Sequence, residues 1–384
     1  MHLTNEQQGM LQGNEGQAMA LAMQTLVKVG KAFGAERLVA IKSAHLAGSF
    51  GSSRFKAYLH ILDQFVAEGI RVRVPTTVNP RPGRTLGLLN RIVFSRQPWL
   101  ERQLAQLGVT PNYSCICYDD VNIPALGDRL CWSESSAVQF ANSALGARCN
   151  RNSVLVDICS AVTGYTPEFG YLMDENRRGQ VLVKLQLDRM DPSALGYVLG
   201  RRLVNRVPVV EHYDFSRAEL KNMGAAMAAT GAVSLFHVEG LTPEAPDLQT
   251  VFDGEPQDVI TIHQADLDSM HESQPQDYDA VVFGCPHLFY EEVIELAEQF
   301  AGCRVTKPTY LCTSPAILQR LQAEGMSNVL HQAGVNVVDF CPVAAFTPKR
   351  RSRVLTASGK CHCYLHNSEF GMMEACLRVC GART

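Results

Sequence analysis

Thirteen cysteines in 384 residues call for a chemical explanation. Their number is odd, their spacing is irregular, and no basic stretch followed by an apolar core opens the chain. A disulfide framework is therefore not expected, and thiols kept reduced in the cytosol fit better. A reduced thiol is either packed as a small hydrophobe or used as a metal ligand or nucleophile. Three stand at the ends of expected strands: Cys115 in Tyr-Ser-Cys-Ile-Cys-Tyr, Cys285 in Phe-Gly-Cys-Pro-His and Cys341 in Asp-Phe-Cys-Pro-Val. The proline after Cys285 and after Cys341 stops the strand and turns the chain. Ligands of open parallel α/β sheets bind beyond the carboxyl ends of the strands. Three thiolates meeting there would hold an iron–sulfur cluster or a mononuclear iron with one coordination position open. Iron so held acts as a Lewis acid on a substrate oxygen. Spacing alone leaves other readings open. Cys312 ends a similar strand, as ligand or as buried hydrophobe. Cys361 and Cys363 with His362 and His366 form a local group that equally suggests zinc.

The rest of the composition narrows the class. A hydrophobic fraction of 46% and a charged fraction of 19% describe a globular chain. No uninterrupted apolar run reaches the roughly 18 residues of a membrane span, so a cytoplasmic protein is expected. A formal charge of -3 argues against nucleic-acid binding. The run Lys349-Arg350-Arg351 reads as a solvated loop rather than a phosphate clamp. Gly48–Ser53 lacks the Gly-Lys-Ser/Thr ending of a nucleotide cradle.

The elements that must position the cysteines are α/β. Thr4-Asn5-Glu6-Gln7 is a capping box, and an Ala/Met-rich helix follows over 16–33. Short strands are expected over 37–41, 70–74 and 113–118, with an amphipathic helix over 55–68 between the first two. Small residues over 133–145 read as a helix, 164–178 as a loop and 180–187 as a strand. A helix over 217–230 precedes a strand over 233–238, and 241–251 is a possible lobe boundary. Strands over 258–263, 280–283, 309–312 and 335–340, with helices over 291–300 and 315–324, restore clear alternation. Strand–helix alternation of this kind predicts parallel sheets.

Longer motifs carry a resemblance to a known family. Ile41-Lys-Ser-Ala-His45, Thr76-Thr-Val-Asn79, Trp132-Ser-Glu-Ser-Ser-Ala-Val138 and Phe140-Ala-Asn-Ser-Ala-Leu-Gly-Ala-Arg148 resemble aconitase X. So do Asp174-Glu-Asn-Arg-Arg-Gly179, Leu220-Lys-Asn-Met-Gly-Ala-Ala226, Leu235-Phe-His-Val238 with Thr242-Pro-Glu-Ala245, Gly284-Cys-Pro-His287 and Ser358-Gly-Lys360 with Tyr364. The likeness runs in order along nearly the whole chain. It implies an aconitase-like α/β catalytic lobe spanning 1–384, with iron, often as an iron–sulfur cluster, on Cys115, Cys285 and Cys341. It also implies a hydro-lyase acting on cis-3-hydroxy-L-proline or mevalonate 5-phosphate. The segments around Trp132 and Asp174 most resemble bacterial members acting on the former. The family's smaller swivelling domain is absent here, which implies a separate small subunit. Two further departures are Ser114-Cys-Ile-Cys117 in place of Thr-Cys-Thr-Pro, and Arg151-Asn-Ser153 in place of a glycine-rich segment.

Dehydration removes a weakly acidic C–H proton and expels hydroxide, so it needs a base, a Lewis acid and donors for the substrate's acidic group. His45, Ser133 and Lys360 are the expected catalytic residues. Lys360 would pair with a substrate carboxylate or phosphate together with Arg148, and Ser43, Thr76, Asn79 and Ser135 would supply polar contacts. The base itself could lie on the missing domain. Each residue also has a structural reading. His45 can be a satisfied core histidine, Ser133–Ser136 a helix cap, Asn142 and Ser143 small packing residues. Glu134 can pair with an arginine, His287 can point away from the metal, and Lys221 can face solvent. Two functions compete with the dehydratase: a zinc hydrolase built on Cys361 and Cys363, and a non-catalytic subunit that binds a small molecule or a partner.

Overall fold

The computed structural model describes residues 1–52, 55–252, 254–271, 277–349 and 351–382; Ser53 of the Gly48–Ser53 loop and Arg350 of the basic run lie outside them. Three parallel sheets organise the chain. The first runs Thr76–Val78, Ser43–Leu46, Arg129–Trp132, Arg148–Arg151 across its width. The second runs His237–Val238, Pro208–Val210, Val181–Gln186, Asp258–His263. The third has five strands, Val335–Val338, Thr309–Thr313, Ala280–Leu288, Val354–Thr356 and Ser368–Phe370. One contiguous core draws Leu130 from the first sheet, Val183 from the second and Phe283 from the third, so the sheets share a single interior.

Helix boundaries follow local chemistry closely. Thr4 caps Asn5–Gln12 through the expected capping box with Gln7. Gln17–Ala32, Lys56–Ala67, Ser135–Ser143, Arg217–Gly231, Tyr290–Phe300 and Pro315–Ala323 form within a residue or two of expectation. The helix Met326–Ala333 was not anticipated. Strands with strong apolar content also appear as expected, among them Asp258–His263.

Two strand expectations fail and two hold only in part, each for a tertiary reason. Leu38–Ala40 pairs antiparallel with Tyr165–Pro167, away from the parallel sheet, and the wholly buried Ser43–Leu46 takes its place. Residues 70–74 send backbone N–H groups to Leu107 and Ala161 instead of a neighbouring strand; the strand proper is Thr76–Val78. The segment 113–118 is a loop entering a 3-10 turn at Cys117–Asp119, with Tyr113 at φ 44°. Of 233–238, only His237–Val238 pairs. The segment 241–251 closes with the short helix Leu248–Val251.

A two-residue pairing fixes the candidate site. Phe340–Cys341 lies parallel to Arg81–Pro82, and Asn90 Nδ2 donates to both Gly83 O and Ala345 O at 2.9 and 2.8 Å. These contacts tie the chain after the strand Thr76–Val78 to the segment that carries Cys341.

Candidate active site

A cavity of about 260 Å³ opens where the first and third sheets meet. Cys115, Cys285 and Cys341 all line it, together with Asn79, Ser133, Glu134, Ser135, Arg151, His287, Lys360 and Tyr364. The three cysteines arrive by different routes. Cys115 sits in the irregular loop described above, and Cys341 directly precedes the helix Pro342–Phe346. Cys285 follows Gly284, which has φ +101° and whose Cβ position would stand 2.3 Å from Cys312 O. A side chain at Gly284 would push the Cys285 turn off its neighbour strand.

His287 joins the three routes. Its backbone N–H donates to Cys115 Sγ at 3.2 Å, its Nε2 lies 3.3 Å from Phe340 O and its Nδ1 3.5 Å from Ser114 Oγ. The ring therefore faces both cysteine loops rather than pointing away. Burial holds its pKa down at about 3, so it stays neutral. Beneath it, Lys221 is almost fully buried, bonded to His287 O at 2.9 Å and paired with Glu292. That corrects the expectation that Lys221 faces solvent.

The polar centre is an ion pair. Glu134 caps the helix Ser135–Ser143, accepting from Ala137 N at 2.6 Å and from Ser136 Oγ at 2.7 Å. Lys360 Nζ bonds Glu134 and, at 2.9 Å, Ser136 Oγ; each partner's side chain is 7% exposed. Burial alone would raise the Glu134 pKa, but the Lys360 charge and the donated bonds hold it at about 2. Burial acts against the Lys360 charge too, and Glu134 overrides it, so Lys360 is raised. Both are charged at neutral pH. The partner of Glu134 is thus a lysine far along the chain, not an arginine. Ser358 sets Lys360 in place: its Oγ accepts from Cys361 N at 3.0 Å and donates to Cys285 O.

Burial raises the thiols of Cys115, Cys285 and Cys341, the last to about 12; for Cys285 the hydrogen bond with Cys361 is the larger cause. Such thiols stay protonated unless a cation sits among them. Among the described residues no three His, Cys, Asp or Glu side chains gather closely around one point. The local Cys/His group of the zinc reading diverges: Cys361 is buried beside Cys285, Cys363 Sγ turns to Ala229 O at 3.4 Å, and His362 Nδ1 to Ser368 O at 3.1 Å.

The remaining expected residues divide. Asn79, Ser133 and Ser135 line the cavity with Lys360. His45 lies one layer behind, fully buried, with Thr77 Oγ1 and Asn79 Oδ1 each 2.8 Å from a ring nitrogen; burial lowers its pKa to about 4, and it orients Asn79. Ser43 accepts from Trp132 Nε1 at 3.2 Å, and Thr76 Oγ1 donates to Val74 O at 2.9 Å. Neither is among the cavity-lining residues. Arg148 bonds Asp174 and Leu172 O instead. Arg151 lines the cavity in its stead. The two arginines sit three positions apart on one strand, and an odd separation puts side chains on opposite faces. Arg151 Nη2 donates to Tyr364 OH at 3.2 Å and Nη1 to Ala228 O at 2.9 Å. The signal for Arg151 was its place in the segment that departs from the family pattern.

Comparison with known proteins identifies the family. Family models for the first, second and third domains of aconitase X match residues 1–175, 179–272 and 278–381. The chain belongs to the aconitase X family. It is 35% identical to a phosphomevalonate dehydratase large subunit of Thermococcus kodakarensis, over 97% of both chains. It is 32% identical to a cis-3-hydroxy-L-proline dehydratase of Pseudomonas aeruginosa, over 87% of this chain and 60% of that protein. The crystal structure of Thermococcus kodakaraensis aconitase X in its holo-form superposes with a TM-score of 0.90 at 33% identity, covering 99% of each chain. Relatives with either substrate are named dehydratases, so this aconitase X chain is a hydro-lyase. No helix among its described residues is long and apolar enough to cross a membrane.

Proposed function

We propose that the chain is the large, catalytic subunit of an iron-dependent dehydratase for a small hydroxy acid, cis-3-hydroxy-L-proline or a similar compound. The observation that carries this reading is the opening of three thiols from distant segments onto the cavity that also holds the Lys360–Glu134 pair and Arg151. Soft thiolate donors suit iron in a cluster. When bound on Cys115, Cys285 and Cys341, it would supply a Lewis acid for the departing hydroxyl.

The chain's own residues do the positioning. Arg151 offers an uncompensated cation to the substrate carboxylate, with Tyr364 beside it. Glu134, ionised and within the cavity, offers an acceptor to a protonated ring amine, and Lys360 keeps it charged. Ser133, Ser135 and Asn79 supply neutral hydrogen bonds. With one anion and two cations on the cavity wall, the site matches a zwitterionic acid. Glu134 is tied up by Lys360 and both ring nitrogens of the neutral His287 have partners, so the base is assigned to a separate small subunit closing over the mouth.

A second reading, mevalonate 5-phosphate, is favoured by identity: the chain is 35% and 36% identical to two phosphomevalonate dehydratase large subunits and 32% and 30% identical to the two hydroxyproline dehydratases. It requires further cations from the small subunit. The test is turnover of both compounds by anaerobically purified protein, with and without the co-expressed small chain. Iron and acid-labile sulfide are measured on the same samples. A colourless, iron-free protein that dehydrates either compound would overturn the iron reading, and exclusive turnover of the phosphate would replace the first substrate by the second.

A further inference from the structure

Behind Asn79 runs a buried chain of hydrogen bonds that begins two residues beyond those already described. Thr77 and Asn122 are almost wholly buried, like His45. Asn122 follows the 3-10 turn of the Cys115 loop and is held to it, its backbone N–H donating to Cys117 O at 2.9 Å. Its Nδ2 donates to Ala44 O at 3.2 Å and to Thr77 Oγ1 at 2.9 Å. A backbone carbonyl only accepts, so Ala44 fixes which end of this amide is the donor. Both Nδ2 protons are then spent, one of them on Thr77.

The direction of every later bond follows. Thr77 Oγ1 accepts from Asn122, and its single proton has two oxygen or nitrogen destinations, Ala44 O at 3.5 Å and His45 Nδ1 at 2.8 Å. The first lies beyond the roughly 3.0 Å reach of an ordinary O–H···O bond. The Cys117 thiol beside Thr77 is a weak acceptor and does not compete with an imidazole nitrogen. Thr77 therefore donates to Nδ1. Burial keeps the ring neutral, its pKa down at about 4, and a neutral imidazole carries one N–H. That proton is on Nε2, 2.8 Å from Asn79 Oδ1. A ring turned over would put carbons at these two distances, closer than the roughly 3.3 Å of a C–H···O contact. Asn79 Oδ1 is thus occupied, and the NH2 end of its amide is left to the cavity that Asn79 lines.

Resting on the dehydratase reading, we propose that Thr77 and Asn122 are positioning residues: through His45 they hold the Asn79 amide with its NH2 outward, as a fixed donor to a carboxylate oxygen of the substrate. Both compounds considered above carry that group, so the donor serves either. An unsupported amide would offer its oxygen to the same point as readily as its NH2, and an oxygen facing a carboxylate forfeits the bond. The buried polar chain removes that ambiguity before substrate arrives.

Three variants and one spectrum test it. Asn79→Asp keeps the shape but offers only acceptors, and raises KM about 10- to 100-fold, the size of a hydrogen bond to a charged group. Thr77→Val keeps the shape but removes the hydroxyl. The ring is then free to change tautomer and the amide to turn, and KM rises roughly tenfold with kcat little changed. Thr77→Ser restores the hydroxyl and returns KM to within about threefold of the parent. A merely structural role for Thr77 lowers stability without this split between KM and kcat. The ring C=C band in a Raman difference spectrum of the full chain, parent minus His45→Gln, reads the tautomer without any substrate. The Nε2-protonated form is expected in the parent and is lost in Thr77→Val. An Nδ1-protonated ring in the parent, or a parental KM in Asn79→Asp or Thr77→Val, overturns the proposal. If neither compound is turned over while the Nε2-protonated band is present, the hydrogen-bond chain stands and the substrate reading fails.

Discussion

Replacing Lys360 by methionine should destabilise the protein by about 3 kcal/mol at neutral pH, and replacing Glu134 as well should return most of that loss. The number comes from the pair itself. Glu134 is held at about 2 against an ordinary 4.5, and each unit corresponds to about 1.4 kcal/mol of preference for the charged form in the fold. Removing one member of a buried pair independently costs about 3–5 kcal/mol. Because the native pKa is depressed, the contribution is complete above pH ~4.5 and is lost as pH falls towards 2. In Lys360→Met the sign reverses: Glu134, still buried, takes up a proton more readily in the fold than in the unfolded chain, so the variant loses less at pH 5 than at pH 7. The assay is equilibrium urea denaturation followed by circular dichroism under reducing, anaerobic conditions, for the parent, K360M, E134Q and the double variant. The pair is not what holds this corner together if K360M costs under about 1 kcal/mol, or if the double variant is as unstable as K360M.

Three further outcomes are expected. Serine at Cys115, Cys285 or Cys341 should each strip most of the bound iron and sulfide on elemental analysis, whereas Cys363→Ser should leave both near parental content. Arg151→Ala should raise KM for the acid by about 10- to 100-fold, the size of a charged hydrogen bond of about 1.5–3 kcal/mol, while Arg148→Ala stays within twofold in the same steady-state assay. His45 and His287 lie at about 4 and about 3, below the ordinary 6.5 of an imidazole. Their neutral forms stabilise the fold fully above pH ~6.5, and this is lost as pH falls through 4 towards 3. The urea midpoint should therefore drop between pH 6.5 and 4, and His45→Gln should flatten that slope; an unchanged slope would contradict the burial of a neutral His45.

Helices were legible because their signals are local. The Thr4–Gln7 box and the capping residues Ser216 and Ser314 bond to amides within three residues, so nearest-neighbour chemistry decides where a helix starts. Strands were less so. Residues 70–74 and 113–118 have acceptable strand composition but make only scattered backbone bonds to their neighbours, and pairing partners are far away in sequence. The same limit explains the site. Asn79, Ser133, Ser135 and Lys360 could be named from motifs, but Glu134 could not be matched to Lys360, 226 positions away. Likewise Arg148 could not be told from Arg151 before the strand's facing was known.

The sequence by itself determined the family, the parallel α/β class and the hydro-lyase chemistry, since motif order and residue type survive in one dimension. Tertiary structure alone decided which polar groups reach the cavity. Thr76 shares a motif with the lining Asn79 yet stands behind it, as do Ser43 and His45 of the neighbouring strand, whereas His287 and Arg151 stand in front. Reach depends on strand facing and on sheets meeting at Phe340–Cys341 and Arg81–Pro82. Both are set by how apolar faces bury against one another across hundreds of residues, which no local spacing encodes.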